Sequence, residues 1–268
     1  MALPSPSPGS ACLVTGASSG IGADIARSLA RRGHGLVLVA RREERLRELA
    51  DELSGSHGIR AEYVAADVAE PAGRSAVFSA LSDRGLTADV VVNNAGYGSG
   101  GRFQDLDPES EEKMVRLNVE ALHSMCAHFV PEMIGRRRGA ILNVASTVAF
   151  QPLPRQATYA ATKAFVLSFT EALHADLHGT GVSATALCPG VTRTEFFEVG
   201  GMSEELAGAP EFAVMDSPEV ARLGVEGMDK GKRVVIPGAF NQVGAVSGRI
   251  APRSVLVPFL RRVYPVGK

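Results

Sequence analysis

A doubly wound α/β domain, built on a mostly parallel seven-stranded sheet with helices on both faces, is the fold class that three observations predict. Short apolar runs rich in β-branched residues alternate along the chain with longer amphipathic stretches. The runs are apolar at successive positions, which suits strands buried on two faces rather than one. The first run leads at once into a glycine-rich turn, Thr15-Gly16-Ala17-Ser18-Ser19-Gly20-Ile21-Gly22, that opens a helical pattern.

Taken in order, the apolar runs are Ala11–Val14, Leu36–Ala40, Glu62–Ala66, Asp89–Val92, Ala140–Val144, Ser183–Leu187 and Arg233–Ile236. Between them the spacing predicts helices near 20–32, 42–53, 71–84, 108–134, 157–178 and 217–228. Such alternation means parallel strands joined by right-handed helical crossovers, with ligands held at the carboxyl ends of the strands. Residues 10–268 read as one domain, with 191–216 as a substrate loop and 237–268 as a C-terminal extension. Residues 1–9 carry a Pro-Ser repeat and read as a disordered tail; prolines and the lack of basic residues argue against a signal peptide.

The chain has 268 residues, of which 45% are hydrophobic and 21% charged, enough apolar material for a sizeable core. A net charge of −1 gives no bulk attraction to nucleic acid, and no nucleic-acid partner is expected. No apolar run reaches the roughly 20 residues of a membrane span. Cys12, Cys126 and Cys188 form no Cys-x-x-Cys pair and read as buried free thiols, so a cytoplasmic location is expected. His174 and His178 have a metal ligand's spacing but no third partner, and no metal is expected.

The glycine turn is suited to a pyrophosphate. Glycines let the backbone come close, and the free N–H groups at a helix start point at the anion. Further on, Tyr159 and Lys163 stand four residues apart, on one face of a predicted helix. An ammonium about 4 Å from a phenol, at an effective dielectric near 20, contributes roughly 4 kcal/mol. That would bring the phenol pKa down by about three, into the range useful for proton transfer near neutrality. Ser146 follows the fifth run, Asn118 lies within the long helical pattern, Asn93-Asn94-Ala95-Gly96 ends the fourth run, and Pro189-Gly190 with Thr194 follow the sixth.

These motifs, in this order and spacing from about Ser10 to Thr194, resemble the short-chain dehydrogenase/reductase family in its single-domain, Rossmann-type form. The resemblance implies that Tyr159 is the general acid/base, that Ser146 hydrogen-bonds the substrate oxygen, and that Lys163 lowers the Tyr159 pKa and holds the nicotinamide ribose. It implies that Asn118 holds a water linking Lys163 to solvent. It assigns cofactor contacts to Gly16, Ser18, Ser19, Gly20, Ile21 and Gly22, to Asp67 and Val68, to Asn94, Ala95 and Gly96, to Tyr159 and Lys163, and to Pro189, Gly190 and Thr194. A homodimer or homotetramer is implied as well.

Ala40 stands at the end of the second run, where NAD-preferring members carry an acid, and Arg41 and Arg42 follow. Guanidinium forks suit a 2′-phosphate, so NADP(H) is favoured over NAD(H), through Arg41 with Arg42 assisting. The expected activity is interconversion of a carbonyl and an alcohol on a small-molecule substrate that is medium-to-large and partly apolar, with Phe196, Phe197 and Phe212 of the 191–216 loop as contacts. The rival readings are a cofactor-binding regulator without turnover and a nucleotide-sugar epimerase or dehydratase. The first would not need the full Ser146, Tyr159, Lys163 and Asn118 set; the second usually has other glycine spacing and a larger C-terminal domain. Arg136-Arg137-Arg138 reads as a solvated loop. The basic and apolar extension 237–268 suits a membrane surface or a subunit interface, and packing on its own domain or a partner subunit is the favoured expectation.

Overall fold

A computed structural model describes residues 3–199 and 210–264. Its sheet runs β3(Ala61–Ala65), β2(Leu36–Ala40), β1(Ser10–Thr15), β4(Thr87–Asn93), β5(Gly139–Val144), β6(Val182–Leu187) and β9(Val234–Val235). Every neighbouring pair is parallel. The seven strands are those the apolar runs predict. A separate two-stranded ladder joins β7(Thr192–Arg193) to β8(Met215–Asp216), and so ties the two ends of the 191–216 loop together. The strand order reverses between β1 and β4, which opens a crevice at their carboxyl ends.

The pleat sends alternate residues of each strand into two cores. Leu13, Val91 and Ile141 face α3(Pro71–Asp83), α5(Leu122–Arg136) and α6(Ala157–Asp176). Cys12, Val14, Val90 and Leu142 face α1(Gly20–Ala30), α2(Glu43–His57) and α8(Ser217–Asp229). The three cysteines are buried and unpaired. Among the described residues no cluster of metal-binding side chains occurs, and no helix is long and apolar enough to cross a membrane.

The structure departs from the sequence pattern in four places. The helix expected over 108–134 is broken: α4(Pro108–Val115) passes into a π-helical turn, Arg116–Ala121, before α5. Asn118 lies in that turn, its side chain bonded across to Tyr97 and Thr162, and single π turns of this kind often mark functional sites. Second, Arg136 and Arg138 are not free in solvent: both pair with the buried Asp89 at the foot of β4, and Arg138 also donates to the carbonyl of Ser5. Third, residues of the expected N-terminal tail touch the domain, with Leu3 packed against the α1/α2 core. Fourth, the extension forms two helices, α9(Ala239–Ile250) and α10(Arg253–Val263), despite Pro258 inside the second.

Candidate active site

The carboxyl ends of β1, β2, β4, β5 and β6 open on one cavity of about 1090 Å³. Its wall includes every expected cofactor residue except Gly22, and every expected catalytic residue except Asn118. Both exceptions stand immediately behind the wall and shape it.

The glycine turn is held by neighbours from β4. Thr15 Oγ1 donates to the Val92 carbonyl and accepts from the backbone N–H groups of Asn94 and Ala95, at 3.0 and 3.1 Å. Asn94 Nδ2 donates back to the carbonyls of Thr15 and Gly16. This close stitching leaves no room for side chains. Gly16 has a φ of +66°, and a Cβ there would stand 2.7 Å from Asn94 Nδ2. A Cβ on Gly22 would stand 2.4 Å from both Asn94 Nδ2 and the Gly16 carbonyl oxygen. Gly20, at φ +53°, faces Thr194. The turn therefore brings bare backbone and the start of α1 to the cavity, the geometry that cradles a pyrophosphate.

At the adenosine end the arginines divide their work differently from the sequence expectation. Arg42 donates to Ser18 Oγ at 3.0–3.1 Å and to Ser19 Oγ at 2.6 Å, and its remaining nitrogen meets Glu195 at 2.8 Å. Arg41 reaches outward, 75% exposed, with Asp67 at 3.8 Å. Arg42, rather than Arg41, is the cation docked on the glycine turn. Glu195 also takes a bond from Arg45, and the two arginines hold its carboxyl down to about 2. Asp67 accepts from the Ala69 N–H at 3.0 Å, so it caps its own turn as well as lining the cavity beside Val68.

At the other end Ser146, Tyr159 and Lys163 line the cavity together. Ser146 caps a short 3-10 helix, accepting from the Val148 N–H, and its hydroxyl also approaches the Pro189 carbonyl at 3.4 Å. Lys163 Nζ lies 5.8 Å from the centre of the Tyr159 ring and donates to the Val144 carbonyl at 2.9 Å. Lys163 is not among the groups that shift the Tyr159 pKa in this arrangement. Burial pushes Tyr159 up to about 12, opposed only by the Ser146 hydrogen bond. Burial likewise pushes Lys163 down to about 8. Desolvation overrides the attraction because both groups are closed off from water and the ammonium faces a carbonyl, not the phenol oxygen.

Asn118 donates to the Tyr97 carbonyl and to Thr162 Oγ1, and accepts from the Tyr97 N–H. A Cβ on Gly96 would stand 2.8 Å from Asn118 Oδ1 and 3.5 Å from Lys163 Nζ, so the two side chains converge there. The glycine-rich loop after Gly96 is pinned rather than loose: Tyr97 Oη donates to the Ser110 carbonyl and Ser99 to the buried Glu111. Gly190 abuts Asn241 of α9, and Thr194 caps the turn before Phe196.

Phe196 stacks obliquely on Tyr159, with centroids 5.5 Å apart, and Phe197 also lines the cavity. Phe212 does not. It is 74% exposed and meets Phe240 edge-on, while its neighbours Pro210 and Ala213 line the cavity. Residues 200–209 of the expected substrate loop, with Met202 and Leu206, lie outside the described residues. Sequence reasoning missed Thr15, Glu195 and the α9 residues Phe240 and Asn241 in this site. A Thr closing the first strand was a visible signal for one; nothing local marked the others.

Comparison with known proteins gives a consistent result. The short chain dehydrogenase family profile matches residues 10–202. An uncharacterized oxidoreductase of Staphylococcus epidermidis is 35% identical over 186 residues, covering 69% of this chain and 79% of that one. A short-chain dehydrogenase from Sphingobium yanoikuyae, solved with NADPH, is 36% identical with a TM-score of 0.80, covering 92% of this chain and 95% of that one. A structure of 7β-hydroxysteroid dehydrogenase is 27% identical with a TM-score of 0.84, covering 97% of this chain and 99% of that one.

Proposed function

The chain belongs to the short chain dehydrogenase family and is an oxidoreductase of the CH–OH/C=O class, and within that class we propose an NADP(H)-dependent enzyme acting on a bulky, partly apolar ketone or alcohol. The observation that carries the reading is that Ser146, Tyr159 and Lys163 line one cavity whose far end is a glycine cradle topped by Arg42.

The bound nicotinamide supplies or takes up the hydride. Everything else falls to side chains of this chain. Gly16, Gly20 and Gly22 leave backbone N–H groups open to the pyrophosphate, and Arg42 is the candidate for the 2′-phosphate, with Arg41 at its side. Ser146 would orient the substrate oxygen by donating to it. Tyr159 would protonate that oxygen in reduction, and its high pKa keeps the proton on the phenol across the neutral range. Lys163 would hold the ribose hydroxyls of a bound nucleotide, and its ammonium would favour the ionised form of Tyr159. Asn118 positions the Gly96–Tyr97 turn beside Lys163.

Support for NADP(H) comes from the paired arginines and the NADPH-bound relative; support for a bulky substrate comes from the Phe196–Phe197 wall and the likeness to a hydroxysteroid dehydrogenase. Domain limits of 10–268, with 191–216 as the substrate loop, belong to the same proposal. The decisive experiment follows NADPH oxidation with ketones of increasing apolar bulk, on wild type and Tyr159→Phe. Expected are kcat/KM values rising with bulk, by up to about fourfold per buried CH₂, and a loss of at least about 10²-fold in Tyr159→Phe with NADPH binding intact. A flat series removes the substrate reading. Near wild-type turnover in Tyr159→Phe removes the mechanism.

A further inference from the structure

The C-terminal helices bury the wrong residues for a pair that only packs on its own domain. In α9 the side turned to the protein carries Ala245 and Gly248, small and nearly featureless. The opposite side carries Val243, Val246 and Ile250, which are 69%, 54% and 76% exposed. Their spacing of three and four residues sets them in one outward stripe. In α10 only Leu256 and Leu260 are buried, while Val255, Phe259 and Val263 form a second exposed row at four-residue intervals. Phe240 and Phe212 add an exposed aromatic pair at the near end of α9.

Charge on this segment is of one sign. Residues 237–268 contain Arg249, Arg253, Arg261, Arg262 and Lys268 and no Asp or Glu, in a chain whose net charge is −1. Arg249 is bound to Glu171. Arg253, Arg261 and Arg262 have no acidic partner among the described residues. This segment holds no acid that the same segment of a second copy could offer to these arginines. Apolar side chains flanked by unpaired cations, on a helix lying along the surface, complement an anionic bilayer instead: the apolar rows enter the acyl boundary and the guanidinium groups reach the headgroups.

We infer that α9 and α10 form a docking surface for an anionic lipid bilayer. The same two helices give Phe240, Asn241, Ala245, Val263 and Tyr264 to the cavity wall, so docking sets the cavity beside the membrane. The inference stands apart from the proposed chemistry, since it is read out by lipid binding alone.

The test is co-sedimentation of the full chain with vesicles of phosphatidylcholine alone and of phosphatidylcholine mixed with phosphatidylserine, at low and high salt. Binding to the mixed vesicles, weakened by salt and absent from the neutral ones, is expected. Each arginine near an anionic surface contributes roughly fivefold in affinity, so Arg261→Glu/Arg262→Glu should weaken binding by at least roughly 25-fold. Val246→Ser/Ile250→Ser should also weaken it while leaving thermal melting unchanged. If that variant melts early, the arginine variant, which touches no core residue, decides the matter. Wild-type protein that stays in solution with both vesicles, or binds both equally, overturns the inference. So does a wild-type dimer, seen by light scattering, that Val246→Ser/Ile250→Ser turns into a monomer, because a second copy then covers the face.

Discussion

Lys163 is asked to be charged where the fold would rather have it neutral. The cleanest test is Lys163→Met, which keeps the length of the stem and removes the ammonium. Burial lowers the lysine from its ordinary 10.5 to about 8. At 1.36 kcal/mol for each pKa step, holding the charge at pH 7 costs about 3 kcal/mol. Methionine escapes that cost and fills irregular space readily. It gives up a charge-assisted hydrogen bond to the Val144 carbonyl, worth about 2 kcal/mol. The net expectation is a variant more stable than wild type by about 1 kcal/mol at pH 7.

For a chain of 268 residues this is a rise of roughly 2 °C in Tm. The pH dependence supplies the sharper signature. Between pH 8 and 10.5 the unfolded wild type binds a proton that the folded state has shed, so wild-type stability climbs through this window relative to the variant. Thermal melts of both proteins without nucleotide, at pH 7, 8, 9 and 10, should show the advantage of Lys163→Met shrinking steadily above pH 8. Adding NADPH should raise the wild-type Tm and leave the variant nearly unmoved, because ligand stabilisation vanishes with affinity. A variant that melts below wild type at pH 7, or an advantage that does not change between pH 7 and 10, would refute the reasoning.

Two further substitutions separate the parts of the site. Arg42→Ala should cost NADPH affinity by about 10- to 100-fold, the worth of hydrogen bonds to a charged group, with NADH affinity little changed, while Arg41→Ala should cost less; fluorescence titration with both nucleotides checks the order, and equal losses for both cofactors would contradict it. Gly22→Ala forces a Cβ to within 2.4 Å of the Gly16 carbonyl and Asn94 Nδ2, so it should lower the Tm and abolish nucleotide binding together, as a thermal melt with and without NADPH would show.

Most of the fold was legible because a parallel sheet buried on both faces leaves an unambiguous trace. Runs such as Leu36–Ala40 and Val90–Val92 are apolar at consecutive positions, and no surface helix reads that way. Side chains that act from strand ends were legible for the same reason: once β4 and β5 are placed, Asn94 and Ser146 follow. What escaped notice depended on contacts distant in sequence. The π turn at Asn118 leaves the apolar spacing of 108–134 intact, since its cause is a bond to Tyr97 and Thr162 and not a local breaker. Glu195 is one acid in a loop until Arg42 and Arg45, some 150 residues earlier, close on it.

The surroundings of Tyr159 and Lys163 were hidden for a different reason. Four-residue spacing on a helix states that two side chains share a face, and nothing about what else that face touches. Here Lys163 turns to the end of β5 and takes the Val144 carbonyl, leaving the phenol to Ser146. Coulomb attraction between the pair was reckoned as if both stood in a uniform dielectric near 20, whereas the larger effect is the removal of each from water. The same arrangement explains why such a pair suits proton transfer with a nucleotide as partner. A lysine already strained by burial, held only by a carbonyl, gains more from a new polar neighbour than a solvated one would. Lys163→Met therefore separates the stability cost of the buried ammonium from its use in the site.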